Sequence, residues 1–404
     1  MKKRLSEVID SYIEKGEISG ASVLLHKDGK RLLSLNSGFA DRKNRIPYSG
    51  DTIIRLYSMS KPITAAAVMI LIERGLLDRL DPVSLFIPSF KNQHYYDSEG
   101  SRHPVTREVT IADLLDMSSG LTYPDDSTPA GREAAELFDR INKKLGTAEA
   151  LSTSEVAEAI GSLTLSFDPG SDYLYGTSAD ILGAVVEKVS GSKFSEFLEK
   201  EIFGPLGMKD TGFFVPGEKQ PRLARSYVAE SHLKNGPAPH EKPISDDGTH
   251  EYLGSHLGIS NRMEKAPAFE SGGAGLCSTL TDYMRFAEML LQGGTTPEGH
   301  KILSAETVRY MTERRRPCNI DKSFHERFGL YGFTYSNLLR ICVSPEEGDT
   351  IMFKGEYGWD GWLGPYFANY PSKNATLLIA MQMTDFGTFS LTHKIINIVA
   401  SGLS

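Results

Sequence analysis

Strand-like patterns occupy both ends of this chain and helical patterns its middle, and that order limits the architectures open to it. Ala21-Ser22-Val23-Leu24-Leu25 and Arg31-Leu32-Leu33-Ser34-Leu35 flank Asp28-Gly29, a two-residue hairpin signal. Far downstream, strand-like runs cover Gly329–Tyr335, Arg340–Val343, Thr350–Phe353, Leu363–Tyr370 and Thr376–Met383. Leu5, Val8, Ile9, Tyr12 and Ile13 fall at helical spacing, and a last helix is expected over Leu391–Ala400. Between the ends, Thr110–Leu115, Ser154–Ile160, Ala179–Val189 and Thr281–Leu291 repeat apolar residues at i, i+3 and i+4. The pattern predicts an α/β chain of the α+β type: a central antiparallel sheet flanked by helices, with a mostly helical inserted subdomain. The sheet domain is expected from residues 1–80 and 269–404, and the subdomain from 81–268. Val215 to Phe269 is rich in Pro, His, Asp and Gly without a sustained period, which predicts long loops beside a functional site.

Composition removes several function classes. A net charge of −8 argues against broad nucleic-acid binding. The longest apolar run, Ala65 to Ile72, is far shorter than the roughly 20 residues a bilayer span needs. Three cysteines, Cys277, Cys318 and Cys342, make neither a disulfide framework nor a CxxC site. Met1-Lys2-Lys3-Arg4 leads into no apolar segment, so no signal peptide is visible and a cytoplasmic location is expected, with no membrane partner. Ten histidines are scattered without HExxH or HxH spacing, so neither a metal nor a cofactor is expected. No G-x-S-x-G elbow is present, and Gly273-Ala274-Gly275 lacks the third glycine of a dinucleotide loop. Arg314-Arg315-Arg316 reads as a solvated helix end before Pro317, and Cys277 as a small packed residue.

The chemistry that remains is S-x-x-K, which occurs three times. Ser231-His232-Leu233-Lys234 lies in the irregular stretch, and Ser192 in Ser190-Gly191-Ser192-Lys193 reads as a helix N-cap. Ser58-Met59-Ser60-Lys61 alone opens the buried helix. Pro62 confines the helix start to about Met59, because proline fits only the first turn. Ser58 and Lys61, three apart, then share a face. Burial and the positive helix end push Lys61 towards a neutral amine, and the Ser58 N–H is left to meet an oxyanion. A serine beside a neutral amine is an acyl-transfer nucleophile. Proton delivery to the leaving group calls for a further acid. Tyr335-Ser336-Asn337 is a literal Y-x-N but lies within a strand-like run. Tyr175-Gly176-Thr177 follows a turn and precedes a helix, so Tyr175 is the better candidate.

With these residues in place the sequence resembles the penicillin-recognising serine hydrolases, the group holding class C β-lactamases, D-alanyl-D-alanine carboxypeptidases and family VIII carboxylesterases. Ser58-Met59-Ser60-Lys61-Pro62 resembles the nucleophile motif, and Leu114 to Tyr123 (LLDMSSGLTY) resembles the family's LLxHTSGL segment. Phe203-Gly204-Pro205-Leu206-Gly207-Met208 and Gly272-Gly273-Ala274-Gly275-Leu276 are similar to further family segments, and Trp359-Asp360-Gly361 falls where the family has K-T-G, H-x-G or W-x-G. The resemblance implies a β-lactamase/transpeptidase-like fold, Ser58 as nucleophile, and Lys61 and Tyr175 as coupled base and acid. It also implies an oxyanion hole from the N–H groups of Ser58 and Trp362, and a substrate pocket including Tyr123, Thr177, Trp359, Asp360 and Gly361.

Two departures point within the family. Trp359 and Asp360 stand where β-lactam-hydrolysing relatives carry the Lys-Thr pair that anchors a substrate carboxylate, and Thr177 replaces the asparagine that holds an acylamino chain. A carboxylate near the pocket repels an anion by about 1 kcal/mol at 4 Å in water, more when partly buried. The expected activity is therefore hydrolysis of small carboxylic esters through an acyl-serine. The alternatives are a β-lactamase or D-amino-acid amidase, and a non-catalytic scaffold or filament relative. The expected partner is a small-molecule ester or amide.

Overall fold

The computed structural model describes residues 1–229, 241–243, 249–296, 298–314, 318–385 and 390–403. Eight strands make one antiparallel sheet: β1 (Gly20–Lys27), β2 (Lys30–Asp41), β3 (Ile46–Pro47), β4 (Phe333–Ser336), β5 (Leu339–Cys342), β6 (Tyr357–Asp360), β7 (Tyr366–Tyr370) and β8 (Ala375–Ala380). Their spatial order is β4-β5-β6-β7-β8-β1-β2-β3. The chain ends meet where β1 pairs with β8, from Ser22 opposite Ala380 to Lys27 opposite Ala375. The β1–β2 hairpin turns on Asp28 at φ 52° and Gly29 at φ 68°; two left-handed residues in succession match the twist of the flanking strands.

The helices packed around the sheet and the nucleophile turn include α1 (Lys2–Glu14), α2 (Lys61–Glu73), α3 (Ser178–Ser190), α4 (Leu280–Leu291), α5 (Cys318–Phe328) and α6 (Ser390–Gly402). One face of the sheet is covered by α1 and α6. There Leu5, Ile9, Leu391 and Ile395 pack with Val23, Leu25, Leu377 and Ile379. Ile9 is fully buried, so Ile9→Ala costs about 2–5 kcal/mol. The other face carries α4, lying on β7 and β8. Helix α2 is buried from Lys61 to Leu71, apolar all round as an interior helix must be, and packs against α3.

The structure departs from the expectations at several places. Thr350–Phe353 is not a strand; the strand in this part of the chain is β6, which begins beyond Gly355 at φ 82°. Within 215–269, short strands Tyr227–Ala229, Glu241–Pro243 and Thr249–Tyr252 form a small antiparallel sheet, each too brief to show a period. The residue before the helix Phe194–Leu198 is Lys193, not Ser192. Arg314 is not a solvated helix end, because it donates to the carboxylate of Asp116 and to Ser336 Oγ. Asp116 also receives Arg79, so a buried acid ties the segment after Leu115 to β4. Ser231–Lys234 lies outside the described residues.

Candidate active site

Tyr57–Ser60 is a single 3-10 turn, and α2 begins at Lys61, two residues later than the position of Pro62 suggests. Ser58 therefore sits on a tight turn feeding the helix, preceded by Tyr57 in a left-handed conformation at φ 45°. An aromatic residue there is strained, and surrounding contacts must hold it. The Tyr57 ring is locked edge-on to Trp362 at 5.1 Å.

The Lys61 amine is fully buried and has three neighbours: Ser58 Oγ at 3.1 Å, Tyr123 Oη at 2.9 Å and the Gly273 carbonyl at 2.9 Å. Burial pushes its pKa down to about 7, against the opposing fields of Asp180 and Asp360. A neutral amine has two N–H donors and one lone pair. The carbonyl can only accept, so it takes one N–H; Tyr123 takes the other, and the lone pair faces the Ser58 hydroxyl. That places the serine proton against a base.

Tyr175 lies beside both Ser58 and Lys61. Its phenol lies near Ser58 and accepts from Trp359 Nε1 at 2.8 Å. Burial raises its pKa well above the usual tyrosine value, and the neighbouring Ser58 and Trp359 only partly oppose this. The indole can only donate, so the Tyr175 proton is left for a partner other than Trp359. The two groups are thus pushed apart, an amine free to accept a proton and a phenol that keeps one until charge develops beside it. The Lys61 Nζ lies 4.6 Å from the centre of the Tyr175 ring, where a lysinium would steady a phenolate.

The segment 117–123 is the frame that holds both tyrosines. Leu174 N donates to Met117 O, Gly170 N to Ser118 O, and the hydroxyls of Ser119 and Ser178 meet at 2.9 Å. Gly176 lies so close to Leu121 that an added Cβ would sit 2.2 Å from its carbonyl oxygen. On the far side of Ser58, Gly361 allows the same approach to Leu56, whose carbonyl oxygen would be 2.2 Å from a Cβ. This brings the end of β6 onto the Ser58 turn. Among the described residues, neither the Ser58 N–H nor the Trp362 N–H is committed to a protein acceptor. The Trp362 side chain is stacked on His256 at 4.2 Å, edge-on to Tyr252, and donates to Asp385 at 2.6 Å. Burial lowers His256 to a pKa of about 4, so the stacked ring is neutral.

Trp359 is buried against Tyr335 and Tyr175. Asp360 stands in register with Tyr366 and so shares that face of the sheet, but its charge is felt at both Lys61 and Tyr175. Thr177 is buried at the start of α3 without capping it, and its hydroxyl has no partner among the described residues. Tyr335, the literal Y-x-N match, is a buried strand residue packed behind Trp359.

Three features of the site carry no mark in the sequence that singles them out. Asp180 is buried in the first turn of α3, where an acid reads as an ordinary helix-start residue; it accepts from Ser271 Oγ and the Gly273 N–H. It thereby fixes the Gly273 carbonyl that holds Lys61. Ser60 Oγ accepts from Leu276 N, pinning the same glycine segment to the nucleophile turn. Phe328, at the end of α5, has no periodic signal to mark it.

A sequence model described as Beta-lactamase matches residues 5–397 of the chain. The chain belongs to the β-lactamase family. Within that family it is 32% identical over 369 residues to Esterase EstB of Burkholderia gladioli, covering 89% of this chain and 85% of the relative. It is 30% identical over 297 residues to Lovastatin esterase of Penicillium rubens, covering 71% and 68%. The solved structure of EstCE1, described as a hydrolase with promiscuous acyltransferase activity, superposes with a TM-score of 0.78 at 24% identity over 98% of both chains, a likeness of fold. This β-lactamase-family chain is thus a hydrolase relative with esterases among its homologues. Among its described residues no group of three His, Cys, Asp or Glu side chains could hold a metal, and no helix is long and apolar enough to cross a membrane.

Proposed function

We propose that the protein is a serine esterase that cleaves small carboxylic esters through an acyl-Ser58 intermediate. The observation that carries this is the line of groups from Trp359 through Tyr175 and Ser58 to a buried Lys61. In acylation Ser58 Oγ attacks the ester carbonyl while its proton passes to Lys61. The Ser58 and Trp362 N–H groups meet the oxyanion. Tyr175 gives its proton to the departing alkoxide as the C–O bond breaks, with the Lys61 charge beside its ring. Water then attacks the acyl-serine and gives its proton to the Tyr175 phenolate, while Ser58 Oγ takes back the proton held by Lys61 and the acid is released. The esterase relatives support an ester as substrate, as does Trp359, which offers an indole N–H to Tyr175 where a β-lactam carboxylate would need a cation.

The test is hydrolysis of p-nitrophenyl acetate and butyrate by the purified protein and by Ser58→Ala. Activity that survives the substitution sinks the acyl-Ser58 reading. Nitrocefin turnover matching ester turnover would move the assignment to β-lactam hydrolysis. A fluorophosphonate probe that leaves Ser58 unlabelled would favour a non-catalytic relative.

A further inference from the structure

Phe328 is the last residue of α5, and Gly329 at φ 64° ends the helix immediately after it. The helix is held down on its inner side. Phe324 is fully buried, edge-on to Tyr173 at 5.3 Å and tilted against Tyr335 at 5.7 Å. Asp321 accepts from Thr334 Oγ1 at 2.7 Å, and the His325 ring meets the Phe333 carbonyl at 2.5 Å. Phe328 therefore has a fixed position, yet it remains 40% exposed. Phe328 lies edge-on to Tyr175 at 5.4 Å and against Trp359 at 6.1 Å.

The rings of Phe324, Tyr173, Tyr335, Trp359 and Tyr175 make one connected aromatic wall, buried but for its outer end at Phe328 and part of Tyr175. A large apolar ring kept at a fixed, wet position beside a reacting phenol is a surface that a substrate can cover. The side of the substrate follows from the chemistry. Tyr175 is the group that protonates the departing oxygen, so whatever that oxygen carries passes the ring packed against Tyr175.

We propose that Phe328 is a specificity-determining residue that receives the apolar or aromatic alcohol portion of the ester, not its acyl portion. The inference rests on the ester reading and deepens it. It makes the protein selective for esters of bulky apolar alcohols.

The experiment uses the full chain, as wild type, Phe328→Ala and Phe328→Leu, on two substrate series. One varies the alcohol (ethyl, butyl and benzyl acetate), and the other varies the acyl group (ethyl acetate, butyrate and hexanoate). In Phe328→Ala the benzyl-to-ethyl preference in kcat/KM falls about tenfold, through KM, the size expected for losing one aromatic contact with its buried area. The hexanoate-to-acetate preference stays within about twofold. Phe328→Leu keeps the butyl preference and loses part of the benzyl one. Unchanged alcohol selectivity, or a loss confined to the acyl series, overturns the assignment while leaving the esterase intact. A wild-type protein inert on both series overturns the ester reading, and this inference falls with it.

Discussion

The indole N–H of Trp359 donates to the phenol oxygen of Tyr175 at 2.8 Å, and this occupies the place where β-lactam-hydrolysing relatives carry a lysine. In the proposed mechanism the bond grows stronger as negative charge develops on Tyr175, so it belongs to the transition state more than to the ground state. Trp359→Phe keeps the ring but removes the donor. Its kcat for p-nitrophenyl butyrate should fall about ten- to hundredfold with KM changed little, since a hydrogen bond to a charged group is worth about 1.5–3 kcal/mol. A change in KM alone would mean that the indole only shapes the pocket.

In the proposed mechanism Lys61 sets the pH dependence. With its pKa at about 7, the amine becomes available as pH rises, so kcat/KM should climb to half its plateau near pH 7 and stay flat above. The stability consequence has the same sign. Between pH 7 and the unfolded lysine value of about 10.4 the unfolded chain holds the extra proton, so the native state gains stability as pH rises. Lys61→Met removes this cost. It should be inactive, yet melt higher than wild type at pH 7, with the gap shrinking towards pH 10. Thermal melts at a series of pH values check the trend.

Tyr123 tests how the amine is kept neutral. An ammonium would use all three of its neighbours, Ser58, Tyr123 and Gly273, whereas the neutral amine donates to only two. Tyr123→Phe therefore penalises the ammonium more than the amine. The rising limb of the pH profile should move to lower pH, while kcat drops because the amine is less firmly aimed. A limb that moved upward would show that Tyr123 donates its proton to the amine and does not accept from it.

Much of this arrangement is legible in the sequence alone. Pro62 and the all-apolar run after it place Ser58 at a helix entrance, and Asp28-Gly29 places the hairpin, because both signals are local steric rules. Thr350–Phe353 misleads for the same reason that the hairpin does not. A short apolar run shows strand propensity but not whether a neighbouring strand exists to pair with it, and Ile351 is 49% exposed. Arg314 is legible as charge but not as structure, since its partner Asp116 lies 198 residues away. The glycine segment held by Asp180 and the ring of Phe328 over Tyr175 are likewise products of chain crossing, which periodicity along one segment cannot express.

Asp360 offers the sharpest check on substrate charge. Its carboxylate raises the pKa of Lys61 and of Tyr175, although strand register places it on the Tyr366 face of β6. Asp360→Asn should therefore shift the rising limb of the pH profile to lower pH. It should also relieve repulsion of a charged substrate by about 1 kcal/mol, on the order of fivefold. Monoethyl succinate against diethyl succinate isolates the effect, because the pair differs in one carboxylate at the far end of the acyl chain. The ratio of their kcat/KM values should rise about fivefold in Asp360→Asn at low ionic strength, and the gain should shrink as salt is added. A pH limb that moves while the succinate ratio stays fixed would mean that the charge tunes the amine without facing the substrate.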